Sequence, residues 1–145
     1  NCCDKHRMYI EIIQNTNKDI KEGAVFNETG IIGQVVNNKS FYEVMLLTDT
    51  KSSIPLTNSK GDFYCNASGS GASDYITCSY SQLVWLDNHE LGEKFFSSGL
   101  GGIYPKGIEI GNLESIKIVD TSTTLLTIKL ISNPLHSNLF GVIKL

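Results

Sequence analysis

The chain has 145 residues, of which 41% are hydrophobic and 19% charged, and its formal net charge is -3. Its 12 basic residues are scattered singly, which argues against binding to a nucleic-acid phosphate backbone. No apolar run approaches the roughly 18 residues that a membrane-spanning helix needs. The chain starts at Asn1 without an initiator methionine, so we expect a fragment whose upstream segments have been removed.

Alternation of period two predicts the first strands, at residues 7–13, 31–36 and 41–48. In the third of these, Phe41, Glu43 and Met45 share one face. Because a buried, unpaired carboxylate is costly, Glu43 marks this face as the wetter one. The pattern therefore predicts that Phe41 and Met45 are exposed.

The middle of the chain contains short strand candidates at residues 53–57, 62–66 and 75–80, and an apolar run at 83–86. Cys65 and Cys78 flank a Ser/Gly-rich turn. In a symmetric hairpin they would face each other closely enough to form a disulfide bond in an oxidising compartment, and two reduced, half-buried thiols are the alternative. The adjacent Cys2 and Cys3 are expected to be free or at a junction.

The last third begins with a strand candidate at 94–98 and a glycine-rich bend. Phe95 and Phe96 are neighbours in that strand, so one of them must point away from the core. Pro105 opens a turn candidate that ends at Gly107, and Tyr104 sits beside it. Further strands follow at 108–119, 125–131 and 140–145. With only a short helical turn suggested near residues 88–93, the pattern predicts an all-β sandwich or barrel.

Catalytic and metal-binding patterns are weak. The string G-x-S-x-G of a nucleophile elbow does not occur, although a triad could still assemble from distant serines and one of His6, His89 and His136. Cys2 and Cys3 are too close together for ordinary zinc-ligand spacing. We therefore expect no cofactor, no metal and no catalytic site.

Surface aromatic residues and methionine are the remaining functional signal, since protein interfaces are enriched in them. The residues that strand and turn positions predict to be exposed are the interface candidates Phe41, Met45, Tyr64, Phe96 and Tyr104. Any one of them alone would be an ordinary exposed apolar side chain.

Three segments resemble one family: GIIGQVV (residues 30–36), VMLLTD (44–49) and SSGLGGIYPKGIEIG (97–111). From about residue 7 to residue 145 the chain is similar to the extracytoplasmic domain of MreC. The resemblance implies two small packed β-barrels, arranged as in chymotrypsin-like proteases but without a catalytic triad. The first barrel would comprise residues 6–50, completed by 138–145, and the second residues 51–137.

The same resemblance implies a non-enzymatic scaffold of the bacterial cell elongation machinery that helps maintain rod or helical cell shape. Its expected partners are a class B penicillin-binding transpeptidase, the MreD and MreB system and further copies of itself. The expected location is the periplasmic side of the inner membrane, reached through an N-terminal helix missing from this chain. A chymotrypsin-like serine hydrolase, or a degenerate relative of one, is the alternative.

Overall fold

The computed structural model describes residues 6–11, 22–38, 41–81, 89–136 and 139–144. Within these ranges the secondary structure is β-strand, apart from a short 3₁₀ turn at Leu100–Gly102. The strands are β1 Arg7–Glu11, β2 Ala24–Asn27, β3 Gly30–Asn38, β4 Phe41–Leu46, β5 Ser53–Asn58, β6 Tyr64–Gly69, β7 Tyr75–Ser81, β8 Lys94–Ser97, β9 Glu109–Ile118, β10 Thr123–Leu130 and β11 Gly141–Ile143. None of the described segments is a helix with the length and apolar character to cross a bilayer.

The first unit is a five-stranded antiparallel sheet in the order β1-β4-β3-β2-β11. Alternation gives it one strongly apolar face, whose buried core consists of Val25, Ile32, Val35, Tyr42 and Val44. The last strand, β11, pairs with β2, so the end of the chain returns to the sheet built by its beginning.

The second unit is a closed barrel with the strand order β10-β7-β6-β5-β8-β9. Its interior is filled by inward-pointing side chains that alternate along each strand, among them Ile54, Leu56, Phe95, Leu126 and Ile128. Closure leaves no free sheet edge where neighbouring strands pair around the barrel.

The prediction of an all-β fold with a closed barrel is confirmed. In the described residues the first unit is an open sheet, whereas the resemblance implied a barrel. Strand β2 was not predicted, because four residues are too few to display a clear alternation. The predicted helical turn near 88–93 is an ordinary turn over residues 91–92 in its described part. The apolar run 83–86, the end of the strand predicted at 7–13, Cys2 and Cys3 lie outside the described residues.

The two units share one apolar core at their seam. Ala24, Ile31 and Leu47 come from the sheet and its outgoing turn, yet they belong to the same buried cluster as the barrel interior. Within the sheet, β3 and β4 approach closely beside this seam: a Cβ added to Gly33 would lie 2.2 Å from the backbone oxygen of Met45. The second glycine of GIIGQVV is therefore required by packing.

The buried carboxylate of Asp49, at the end of VMLLTD, is hydrogen-bonded to the first strand and to the turn in which the chain leaves the sheet. Asp49 accepts hydrogen bonds from Arg7 Nε (2.9 Å) and from the backbone N–H groups of His6 (3.0 Å) and Lys51 (2.8 Å). Arg7 Nη1 also donates to Glu43 Oε2 at 2.8 Å. Burial alone would raise the pKa of Asp49, but the hydrogen bonds from Arg7, Lys51 and His6 outweigh it and hold this pKa below its usual range.

The hairpin of β6 and β7 carries a disulfide bond between Cys65 and Cys78, whose Cα atoms lie 6.2 Å apart. The pairing register places Cys78 opposite Ala67, so the two cysteines do not face each other directly, as they would in a symmetric hairpin. The bond is a diagonal one, and Cys65 lies beyond the last residue pair of this ladder.

Candidate partner-binding surface

The five predicted interface residues do not share one environment. Phe41 and Tyr64 are exposed, with exposed fractions of 52% and 42%, and Phe96 is half-buried. Met45 and Tyr104 are buried, with exposed fractions of 8% and 1%. The expectation that these last two are exposed is wrong.

Met45 is buried because the face of β4 that carries Phe41, Glu43 and Met45 is exposed to solvent only at the Phe41 end. Met45 lies opposite Gln34 of β3, and Gln34 Oε1 accepts a hydrogen bond of 3.1 Å from Tyr104 Oη of the barrel. That end of the sheet face is therefore covered at the seam. Phe41 and Glu43, further along the same face, stay partly in contact with solvent.

Tyr104 lies at the seam and not on the outer surface. Its ring belongs to the shared core, and its hydroxyl reaches across to Gln34. Burial raises the pKa of this phenol well above its ordinary value, so the hydroxyl stays protonated and acts as a donor. The residue before the proline turn thus joins the barrel to the sheet.

Tyr64 and Phe96 are brought together on the outside of the barrel. Thr57, in the middle strand β5, pairs with Tyr64 of β6 on one side and with Phe96 of β8 on the other. Residues paired in this way lie side by side on one face of a sheet. Their neighbours Leu56 and Phe95 point inward and are fully buried. The prediction that Phe95 and Phe96 diverge is confirmed.

Tyr64, Thr57 and Phe96 form one row across three strands, and this row lines an open groove of about 540 Å³. Its volume is within the range of ordinary ligand sites. Strand residues, the turn 59–61 and the loop 98–107 all contribute to its lining. The complete lining consists of Thr57, Asn58, Ser59, Lys60, Gly61, Tyr64, Phe96, Ser97, Ser98, Leu100, Lys106 and Gly107. Leu100 is 59% exposed and extends the apolar floor.

The loop 98–107 is held in shape by Ser97 at its start. Ser97 Oγ donates to the backbone oxygen of Pro105 (2.5 Å) and accepts from the backbone N–H of Ile108 (3.0 Å). Gly99 has a φ of +81°, and a Cβ there would lie 2.8 Å from Cβ of Lys106. Glycine is therefore needed for both backbone conformation and close approach.

Phe41 belongs to a different surface. It lies near Tyr9 on the outer face of the five-stranded sheet, where Tyr9 pairs with Glu43 and Phe41 pairs with Glu11. Tyr9 is 67% exposed, and sequence reasoning did not select it. Neither aromatic residue lines the groove.

The three histidines do not form a hydrolase site in the described part of the chain. The ring of His89 is hydrogen-bonded to Glu93 and that of His136 to Glu28, and among the described residues neither ring has a serine hydroxyl as a partner. The nearest arrangement to a dyad is His6 Nδ1 with Thr48 Oγ1 at 2.5 Å. The carboxylate of Asp49 contacts the backbone of His6, so it does not orient the ring.

The described residues do not bring metal-ligating side chains together either. Over the described ranges no group of three or more His, Cys, Asp or Glu residues is placed to hold a metal ion. Cys65 and Cys78 are bonded to each other. In the described part of the chain, exposed aromatic residues line the groove and form a pair, Phe41 and Tyr9, on the sheet.

The combination of a five-stranded sheet and a closed six-stranded barrel recurs in solved structures. MreC from Pseudomonas aeruginosa superposes with a TM-score of 0.76 at 23% identity, over 89% of this chain and 83% of that chain. A chain in the complex between Penicillin-Binding Protein (PBP2) and MreC from Helicobacter pylori superposes with a TM-score of 0.59 at 13% identity, over 88% of this chain and 100% of that one. At these identities the likeness establishes the fold.

Sequence comparison establishes the family. The profile described as rod shape-determining protein MreC, barrel core, matches residues 3–144, and the chain belongs to this family. The cell shape-determining protein MreC of Haemophilus influenzae is 32% identical over 112 residues, covering 73% of this chain and 31% of that protein. The Escherichia coli protein of the same name is 27% identical over 117 residues, covering 79% and 31%. The chain thus spans about a third of the length of these relatives.

Proposed function

We propose that this domain is a non-enzymatic scaffold of the bacterial cell elongation machinery that binds a class B penicillin-binding transpeptidase through the groove on its barrel. The family match over residues 3–144 supports a role in determining cell shape. The Helicobacter pylori neighbour, a chain from a complex between PBP2 and MreC, supports this choice of partner.

The groove is the observation that carries the choice of surface. Two aromatic side chains, Tyr64 and Phe96, lie in register beside the exposed Leu100. Aromatic anchors in a concave site supply much of the binding energy in protein complexes. Binding would act by position: it shifts the transpeptidase toward the conformation or location for which the scaffold has the greater affinity.

The wider assembly is part of the same proposal. The domain would stand on the periplasmic side of the inner membrane, anchored by an N-terminal helix of the full-length protein. It would cooperate with MreD and the MreB cytoskeleton and associate with further copies of itself. The relatives' names as cell shape-determining proteins support this setting.

Binding to a soluble transpeptidase ectodomain from the same organism tests the proposal. Biolayer interferometry would compare wild type with Tyr64→Ala and Phe96→Ala. We expect at least a tenfold loss of affinity for each variant, as for buried aromatic anchors. Tyr9→Ala is the matched control, because Tyr9 is an exposed aromatic residue on the sheet, away from the groove.

Circular dichroism and the thermal midpoint would establish that each variant is folded. Wild type that does not bind the ectodomain would refute the proposed function. Equal losses in Tyr9→Ala and in the groove variants would refute the assignment of the surface.

A further inference from the structure

The charged residues that line the groove are both basic, and Glu109, which pairs with Phe96 across β8 and β9, is not among the lining residues. The chain has a formal net charge of -3, yet the charged residues among the described lining are Lys60 and Lys106. Neither lysine forms an ion pair within the described part of the chain. The nearby Asp62 accepts a hydrogen bond from Asn58 Nδ2 at 2.7 Å and does not line the groove.

The two lysines belong to opposite ends of the groove. Lys60 lies in the turn that follows Asn58, at one end of β5. The loop that carries Lys106 starts at the other end, where the backbone N–H of Ser98 donates to the oxygen of Pro55 at 3.0 Å. From Pro55 to Asn58 a strand advances by about 10 Å. The aromatic floor lies between these two ends.

We propose that the groove binds an extended acidic segment of the transpeptidase, with an aromatic or aliphatic side chain between two carboxylates; the inference rests on the function proposed above. In an extended chain, residues i, i+2 and i+4 point to one side and span about 13 Å. A carboxylate at each end then meets a lysine, and the apolar side chain at i+2 packs on Tyr64, Phe96 and Leu100. Charge complementarity of this kind selects the partner and sets the register.

Two synthetic peptides test the recognition directly. The probe is acetyl-Glu-Ser-Phe-Ser-Glu-amide, and the control is acetyl-Lys-Ser-Phe-Ser-Lys-amide. Titration into isotope-labelled domain would be followed through the amide signals of Gly61, Leu100 and Lys106. We expect concentration-dependent shifts with the acidic peptide that weaken as salt is raised from 50 to 300 mM, values chosen to span the screening range. Equal shifts with both peptides, or none with the acidic one, would overturn the inference.

Charge reversal then tests the same contacts in the complete partner. Against the transpeptidase ectodomain we expect Lys60→Glu and Lys106→Glu each to weaken binding roughly three- to fivefold, and the double variant about tenfold. Lys117→Glu is the matched control, because Lys117 is an exposed lysine on β9 outside the groove. An unchanged affinity of the double variant overturns the inference and leaves the scaffold function standing.

A different set of results would refute the proposed scaffold function and leave the groove chemistry supported. If wild type does not bind the ectodomain, yet the acidic peptide binds in a lysine-dependent manner, the chemistry of the groove is supported and the proposed partner is refuted. A second copy of this acidic chain is the other candidate occupant. If the double variant abolishes self-association in sedimentation velocity and leaves peptide shifts unchanged, the inference is overturned.

Discussion

Reduction of the Cys65–Cys78 disulfide should destabilise the barrel by a predictable amount. The two residues are 13 positions apart, so the bond removes the entropy of closing a short loop from the unfolded chain. For a loop of this length the chain-entropy estimate is about 3 kcal/mol at 25 °C. With a urea slope of about 2 kcal/mol/M, the unfolding midpoint should fall by about 1.5 M on reduction.

The assay needs a background without other thiols. Since the chain has four cysteines, the variant Cys2→Ser/Cys3→Ser leaves only the pair in the barrel. Cys78 is fully buried, so the reduced form should be prepared by unfolding with a phosphine reductant and refolding in its presence. Urea unfolding of the oxidised and reduced forms would be followed by far-ultraviolet circular dichroism, with free thiols counted under denaturing conditions.

Two results would refute this reasoning. Two titratable thiols in the untreated protein would show that the bond is not formed. A full disulfide with a midpoint shift below about 0.3 M would show that loop closure contributes little here, because the unfolded state keeps the two strands near each other.

Three further substitutions probe the seam and the strand packing. Asp49→Asn should lower the free energy of unfolding by about 2 kcal/mol at pH 7, through loss of charge-assisted bonds. Because folding depresses the pKa of Asp49, the stability that its carboxylate contributes is present above the unfolded pKa of about 3.9 and is lost as pH falls through the folded value. The free energies of unfolding of variant and wild type should therefore converge at acidic pH. A difference between them that stays constant with pH would contradict this. Tyr104→Phe should cost about 1 kcal/mol in urea melts, from loss of the bond to Gln34, and leave transpeptidase affinity unchanged; weakened binding would place Tyr104 at the interface after all. Gly33→Ala should cost at least about 2 kcal/mol, because its Cβ would collide with the backbone oxygen of Met45; a thermal midpoint equal to that of wild type would disprove the close approach.

Local patterns predicted the parts of the fold that depend on local chemistry. Alternation located most of the strands, because an inward-facing apolar side chain at every second position is what barrel closure requires. The turn that Pro105 opens was also predictable: Gly107 at its end has a φ of +85°, a backbone conformation that glycine adopts without strain. The divergence of Phe95 and Phe96 follows from the same strand geometry.

The seam between sheet and barrel could not be predicted from these patterns. Tyr104 lies beside a turn, a position that is usually exposed to solvent, yet its ring is part of the shared core and its hydroxyl is bonded to Gln34, 70 residues away in sequence. Met45 and the exposed Phe41 lie on the same face of β4, and the barrel covers only the end of that face where Met45 lies. Tertiary contact changes the environment within one strand, and period-two alternation carries no information about it.

The sequence predicted some residues of the groove but not that they lie together. Tyr64 and Phe96 were selected as exposed aromatic residues, but nothing in their sequence positions shows that both pair with Thr57. Lys60 and Lys106 looked like scattered charges. Only the register across β6, β5 and β8 brings the two aromatic residues together, with a lysine towards each end.

The loop 98–107 belongs to the segment 97–111 that resembles the family, and it contributes to both the groove and the seam. Its outer side supplies Leu100 and Lys106 to the groove, and Tyr104 reaches the sheet from the same loop. Gly99 and the bonds of Ser97 set the path between these two contacts. A substitution that reroutes the loop, such as Gly99→Ala, must therefore disturb both the groove and the seam, whereas Tyr104→Phe disturbs the seam alone. Comparing the two variants for stability and for transpeptidase affinity separates what the motif does for folding from what it does for binding.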